Sequence, residues 1–271
     1  MHLETIRENL HCIRVPSPTL PPATTTNCWI LGDQHSWIVD PAAHRTDTQH
    51  ALIELLRPFQ PTGIFLTHHH HDHIGAALLL SETFLIPIYA HPKTAELLSI
   101  PYHPILDNES IQINGEMWTA IHTPGHAPGH LCLLSNVDQS LIAGDMVAGE
   151  GTILINPKEG SIREYLNSLG HLESLCPSRL LPAHGNILVS AIPTLQEYQQ
   201  HRLHRIQQIQ ALLTPTPQNS RDIAAKIYTD LPQHFLGMAS VQVECGLIYL
   251  EEDALATSIR ENVHASPKHC A

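Results

Sequence analysis

Residues 67–76 read THHHHDHIGA, directly after the apolar stretch GIFL. A divalent cation needs several lone pairs converging at about 2.0–2.2 Å. In extended chain, residues i and i+2 project the same way. His68 and His70 therefore point together, while Asp72 and His73 fall in the turn into a following helix and aim at a neighbouring position. The spacing is H-x-H-x-D-H. His69 and His71 project oppositely and are expected to pack or hydrogen-bond beneath the site. The chain holds 22 histidines among 271 residues, so a lone histidine carries little weight and only spaced ones count.

Three more stretches complete a pattern. HTPGHAPGH (122–130) sets His126 after a Pro-Gly turn at a strand end, LIAGD sets Asp145 at a second, and LPAHGN sets His184 at a third. Strand ends are how a sheet gathers distant residues into one site. The first half alternates short strands (27–32, 35–40, 63–68, 87–91) with helical stretches (48–59, 74–84, 93–99). From about 111 to 145 the pattern is β, with a hairpin around NVDQ, followed by a helix at 161–175 and a strand entering HGN. A long helix, 193–213, opens on Pro193, which suits a first turn. TPTPQNS (214–220) reads as a linker.

This set of motifs resembles the metallo-β-lactamase-fold hydrolase superfamily over residues 27–190 or so. The resemblance implies an α/β (α+β) protein, an αββα sandwich with a dinuclear metal site along one edge of its two sheets. It implies His68, His70 and His126 as ligands of one metal, Asp72, His73 and His184 as ligands of the other, and Asp145 as the bridging carboxylate. His130 resembles a second histidine found after the metal histidine, with a supporting role or a substrate contact. Imidazoles with carboxylates suit Zn²⁺, with Fe or Mn also compatible. Two such cations about 3.5–4 Å apart share a water and lower its pKa, giving a hydroxide for attack on a carbonyl or phosphoryl centre. Asp72 is then placed to orient the nucleophile. The aspartate at 145 departs from true metallo-β-lactamases, and His70 stands where flavodiiron proteins carry Glu. The first points away from antibiotic hydrolysis, and the second to hydrolysis rather than diiron redox chemistry.

The C-terminal third, from EYQQHRLHRIQQIQALL through ASVQVECGLIYLEEDAL, resembles the β-lactamase-like protein 2 group, which adds a small winged-helix-like domain. The expected organisation is a hydrolase domain over 1–192, a connecting helix over 193–213 and a winged-helix-like domain over 214–271, with ALATSI as a β-wing. Members of the group and its relatives include endoribonucleases acting on single-stranded RNA and thioesterases acting on carrier-bound polyketides. Net charge is −12 with His neutral, and the stretch 231–250 has no Lys or Arg. Phosphate binding depends on cations, so DNA is not an expected partner of this region. Arg202 and Arg205 on the long helix are candidate contacts for an anionic substrate.

These features favour a dinuclear zinc hydrolase of an ester or thioester, its substrate a small molecule or a carrier-bound acyl group. RNA phosphodiester cleavage is the rival, and a binding protein that kept the fold is the non-enzymatic alternative. The six cysteines form no C-x-x-C pair and read as reduced thiols. The opening MHLETIRENLHCIRV has no signal-like apolar run, and no run of about 18 apolar residues is present, so the expectation is a cytoplasmic protein without a membrane span. The oligomeric state is left open.

Overall fold

The computed structural model describes residues 1–214, 216 and 218–265. Seven strands form one sheet in sequence order: β1 (Leu3–Arg7), β2 (Leu10–Pro16), β3 (Thr25–Leu31), β4 (Trp37–Val39), β5 (Gly63–Phe65), β6 (Ile88–Ala90) and β7 (His103–Pro104). Five form the other, in the order β12-β11-β10-β9-β8: β8 (Ser110–Ile113), β9 (Glu116–His122), β10 (Leu131–Ser135), β11 (Ser140–Gly144) and β12 (Arg179–Pro182). The first half of each sheet in chain order is antiparallel. The pairs β4–β5, β5–β6, β6–β7 and β11–β12 are parallel. Parallel neighbours need a crossover, and the helices supply it: α1 (Thr46–Leu56), α2 (His71–Ile74), α3 (Ala77–Phe84) and α4 (Pro92–Leu98) in the first half, α5 (Ile162–Ser174) in the second.

Side chains alternate across each strand and so sort into layers. On β3, Cys28 and Ile30 join the core under α1 and α3, while Trp29 and Leu31 face the second sheet. On β10, Leu131 and Leu133 meet that inter-sheet core, while Cys132 turns outward to α5. Trp29, Trp118 and Phe65 lie fully buried between the sheets. The αββα sandwich follows from this period-two sorting.

Two readings of the sequence are corrected. The N-terminal hairpin β1–β2 was not anticipated, because LETIR carries three charged or polar side chains and forms an edge strand with one face in water. The β-wing is not found among the described residues. After α6 (Ala191–Leu212) come α7 (Ser220–Ile227) and α8 (Leu236–Ala265), with no strand among the described residues beyond Pro182, and ALATSI lies inside α8. Ala and Leu are strong helix formers, and a short alternation after EEDAL continues the helix rather than starting a strand. Leu195 and Ile206 of α6 and Cys245 of α8 share the core of the second sheet with Tyr165 and Leu169. A smaller cluster joins Ile209, Ile223, Ala224 and Val243 of the three C-terminal helices. Five cysteines are free thiols; Cys270 lies outside the described residues. No described helix is long and apolar enough to cross a membrane.

Candidate metal centre

All seven sequence-derived donors meet at one edge of the sandwich, where β5, β9, β11 and β12 run out. His68 and His70 follow β5, His73 lies in α2, Asp145 follows β11 and His184 follows β12. The inward nitrogens His68 Nε2, His70 Nδ1 and His126 Nε2 stand 2.9–3.2 Å apart. Four tetrahedral ligands at zinc–nitrogen distance would sit about 3.3 Å from one another. His73 Nε2 and His184 Nε2 form a second group with Asp72, whose Oδ2 lies 3.5 Å from His184 Nε2. Asp145 lies between the groups. Its Oδ2 is 3.3 Å from His126 Nε2, and its Oδ1 is 3.6 Å from His73 Nε2 and 3.4 Å from His184 Nε2.

The outward nitrogens explain the inward ones. The Thr67 hydroxyl donates to Asp40 Oδ2 at 2.7 Å, so it accepts from His68 Nδ1–H at 2.9 Å. His73 Nδ1 donates to Asp40 Oδ2 at 2.8 Å, His126 Nδ1 to the Leu154 carbonyl at 2.7 Å and His184 Nδ1 to the Thr25 carbonyl at 3.0 Å. His70 is reversed: its Nε2 donates to Glu159 Oε1 at 3.2 Å. A neutral imidazole has one N–H. With that proton held outside, each of the five rings in its neutral form presents a bare lone pair to the centre. Such outer partners fix the tautomer and orientation of metal-binding histidines. The inner atoms fit a metal for another reason. His73 Nε2 and Asp145 Oδ1 are buried without any hydrogen-bond partner, a costly state for polar atoms unless a cation completes them.

Local charge agrees. Burial, then the neighbouring rings, hold His68 well below the ordinary imidazole value; burial, partly opposed by Asp145, holds His126 at about 4. For Asp145 burial pulls upward, but His184 and His73 outweigh it and keep the carboxylate ionised. For His73 burial pulls down, and Asp145 and Asp40 more than reverse it. Without a cation this ring holds a proton between two carboxylates, and metal binding displaces it.

Strand β3 braces the second group. Thr25 supplies the His184 acceptor, the Thr26 hydroxyl donates to the Asp72 carbonyl, and Asn27 Nδ2 donates to the carbonyls of Pro182 and Gly185 on either side of His184. His130 sits behind the centre, fully buried. Its Nε2 accepts from the Asp145 N–H at 3.0 Å, and its Nδ1 faces the Thr123 hydroxyl at 2.8 Å. Both nitrogens being engaged, it supports Asp145 and does not face the cleft. A Cβ at Gly144 would lie 2.5 Å from His130 Nε2, and φ there is +49°, so glycine opens this contact.

His69 hydrogen-bonds Glu159 Oε2 at 2.8 Å. His71, expected beneath the site, is exposed instead, because α2 begins there and turns it outward against the ring of His44. Arg202 is buried, donating to the Ile153 carbonyl and to Gln242, with its guanidinium over Tyr165. Arg205 lies over the Tyr228 ring at 4.6 Å. Asp40, Thr67 and Glu159 are the participants that sequence reasoning missed. Asp40 carried a signal, a lone acid at the end of the strand HSWIVD. Glu159 is in a loop with none.

A cleft of about 490 Å³ opens over His70, Asp72, His126, Asp145 and His184. The metallo-beta-lactamase superfamily model matches residues 21–184. The chain belongs to this superfamily. A beta-lactamase-like protein 2 homolog of Drosophila melanogaster is 29% identical over 204 residues, covering 70% of this chain and 68% of that protein. An atrochrysone carboxyl ACP thioesterase of Aspergillus fumigatus is 28% identical over 64% of this chain, which spans 54% of the fungal protein. Among solved structures, a metallo-beta-lactamase family protein from Thermus thermophilus superposes with a TM-score of 0.76 at 21% identity, covering 91% of this chain and 94% of that one. The likeness of fold to that protein therefore reaches past residue 184 into the C-terminal helices.

Proposed function

We propose that this superfamily member is a hydrolase of ester or thioester bonds, working with two divalent cations, zinc first among them. One observation carries the reading: five imidazoles whose N–H groups are held outward turn their lone pairs, and the two oxygens of Asp145, onto two adjacent points. His68, His70 and His126 would hold one cation, and Asp72, His73 and His184 the other, with Asp145 between them. Bound there, the pair would supply a hydroxide at neutral pH and a Lewis acid for the developing oxyanion. Asp72, partly open to the cleft, orients the attacking water by accepting its hydrogen bond. Asp145 keeps its negative charge through burial because His184 and His73 face it. The tie from His126 to Leu154 fixes the cleft wall against which the acyl group lies. An overall charge of −12 disfavours a polyanionic substrate.

The test compares turnover of an acyl thioester and of short single-stranded RNA by protein purified without a histidine tag, with Asp145→Ala as control. Thioester hydrolysis lost in the variant is expected. RNA cleavage lost in the variant, with no thioester activity, would replace the reading by a phosphodiesterase. Less than one metal per chain, unchanged by added Zn²⁺ or Mn²⁺, would leave only a binding protein.

A further inference from the structure

The cleft over the metal centre does not end there. A second cavity of about 870 Å³ adjoins it. Both are lined by Leu20, Pro21, Met238, Gln242 and the segment 151–154, which forms the partition. The partition is anchored from behind. Arg202 holds the Ile153 carbonyl, Gln242 exchanges two hydrogen bonds with Ile155 (3.3 and 2.8 Å), and Leu154 accepts from His126. The second cavity therefore shares a built wall with the catalytic one. Its volume is in the range of small-ligand sites.

Its chemistry is divided. Tyr198, Tyr228, Leu231, Phe235 and Ala239 give it an apolar body, and its polar end holds Arg205 and His201 together with the carboxylate of Glu197. Arg202 is not available there, since its donors are committed. Arg205 is. It donates from Nη1 to Gln208 at 2.8 Å, its Nε is buried with no partner, and among the described residues no carboxylate pairs with it. A guanidinium over the Tyr228 ring with its Nε unpartnered, in a chain of net charge −12, is a fork prepared for an anionic group.

Resting on the hydrolase reading above, we propose that the substrate is an amphipathic acyl compound. Its scissile carbonyl lies at the metal centre, its apolar chain passes the Leu20–Pro21 strap into the second cavity, and a terminal carboxylate or phosphate meets Arg205. The cavity then selects long acyl chains over acetyl, and Arg205 selects chains that end in an anion.

The test reads binding, without turnover. A homologous series of α,ω-dicarboxylates and the matching monocarboxylates is titrated calorimetrically into the zinc-loaded protein. Each added methylene should tighten binding by about fourfold up to an optimum length, and at that length the dicarboxylate should bind about tenfold better than the monocarboxylate. Arg205→Gln should remove the second advantage and keep the first. Leu231→Trp, at an exposed position on the cavity wall, should shorten the optimum without lowering the melting temperature. Affinity independent of chain length, or a dicarboxylate advantage unchanged in Arg205→Gln, would overturn the proposal. Turnover separates it from the broader reading. Acetyl thioester hydrolysis with no chain-length preference leaves the hydrolase and removes the cavity; length-dependent binding without any ester turnover does the reverse.

Discussion

Asp40→Asn is the perturbation that best isolates how the chain prepares its donors. Asp40 is buried and accepts three hydrogen bonds. Oδ1 takes the Thr67 N–H at 2.9 Å, and Oδ2 takes the Thr67 hydroxyl at 2.7 Å and His73 Nδ1 at 2.8 Å. An asparagine of the same shape keeps its oxygen on the backbone N–H, which turns its NH₂ toward His73. Two donors then face each other. The ring escapes by moving its proton to Nε2, the atom that has to be bare. Loss of such an outer partner typically costs 10–100-fold in metal affinity, which is about 1.4–2.7 kcal/mol. The metal-free protein loses about 3 kcal/mol in addition, because His73, neutral once its Nδ1 faces a donor, no longer offers the buried Asp145 a charged partner. At about 2–4 °C per kcal/mol for a chain of this size, the melting temperature falls by roughly 6–12 °C. Metal content after dialysis against graded chelator, and calorimetry of the metal-free protein, read the two effects separately. The second site should empty first. An Asp40→Asn protein that held both metals as tightly as the parent would refute the tautomer argument.

Other expectations follow from the same geometry. Glu159→Gln leaves an acceptor for only one of His69 and His70, so metal affinity at the first site should fall about tenfold with little change in melting temperature; unchanged chelator resistance would show that Glu159 is a bystander. Gly144→Ala, at φ +49° and against His130, should cost at least about 1–3 kcal/mol by denaturant titration. His91 is pulled down to about 4 by burial and then by His122, stacked on it at 4.3 Å, and its Nδ1 accepts the Lys93 N–H at the start of α4. The unfolded ring protonates near 6.5, so the unfolded state binds more protons below that pH, and stability falls as pH drops from about 6.5 toward 4. His91→Asn keeps a capping acceptor and should make that slope shallower by the share of His91, leaving the part due to the buried His68 and His126; melting curves of both metal-free proteins across the window, and an imidazole titration by NMR, check it.

The pairing within the histidine run was legible in the sequence because its constraint is local. Asp72 and His73 fix the register of the run, and the period of an extended chain then pairs His68 with His70. What could not be read was the ring orientation. His70 turns Nδ1 inward and the others Nε2, and that difference is set by Glu159, about ninety residues away, and by carbonyls at Leu154 and Thr25 that any residue could supply. Backbone acceptors leave no trace in side-chain identity. The sandwich was legible through strand alternation at 27–32 and 131–135, whereas the edge strand 3–7 was not, since a strand with one wet face lacks the apolar run that reveals a buried one.

The C-terminal region shows the same division at a larger scale. Helices were readable there, but the wing rested on the short alternation ALATSI, and the helix-forming composition of EEDALATSI contradicts it locally. The consequence for chemistry lies in α8. Through the stretch read as a wing, α8 runs on as one helix, and its face carries Met238, Gln242 and Cys245 onto the segment 153–155. The C-terminal helices thus act on the metal centre through a wall they hold in place, one hydrogen bond removed from His126. Gln242→Leu tests that connection. It frees the polar atoms of Ile155 and one donor of Arg202, and it should loosen the partition while leaving every donor side chain intact. Hydrogen exchange at Ile153–Asn156 should rise, chelator resistance at the first site should fall severalfold, and the second site should be unaffected. Equal weakening of both sites would mean that α8 supports the whole sheet edge and has no particular hold on His126.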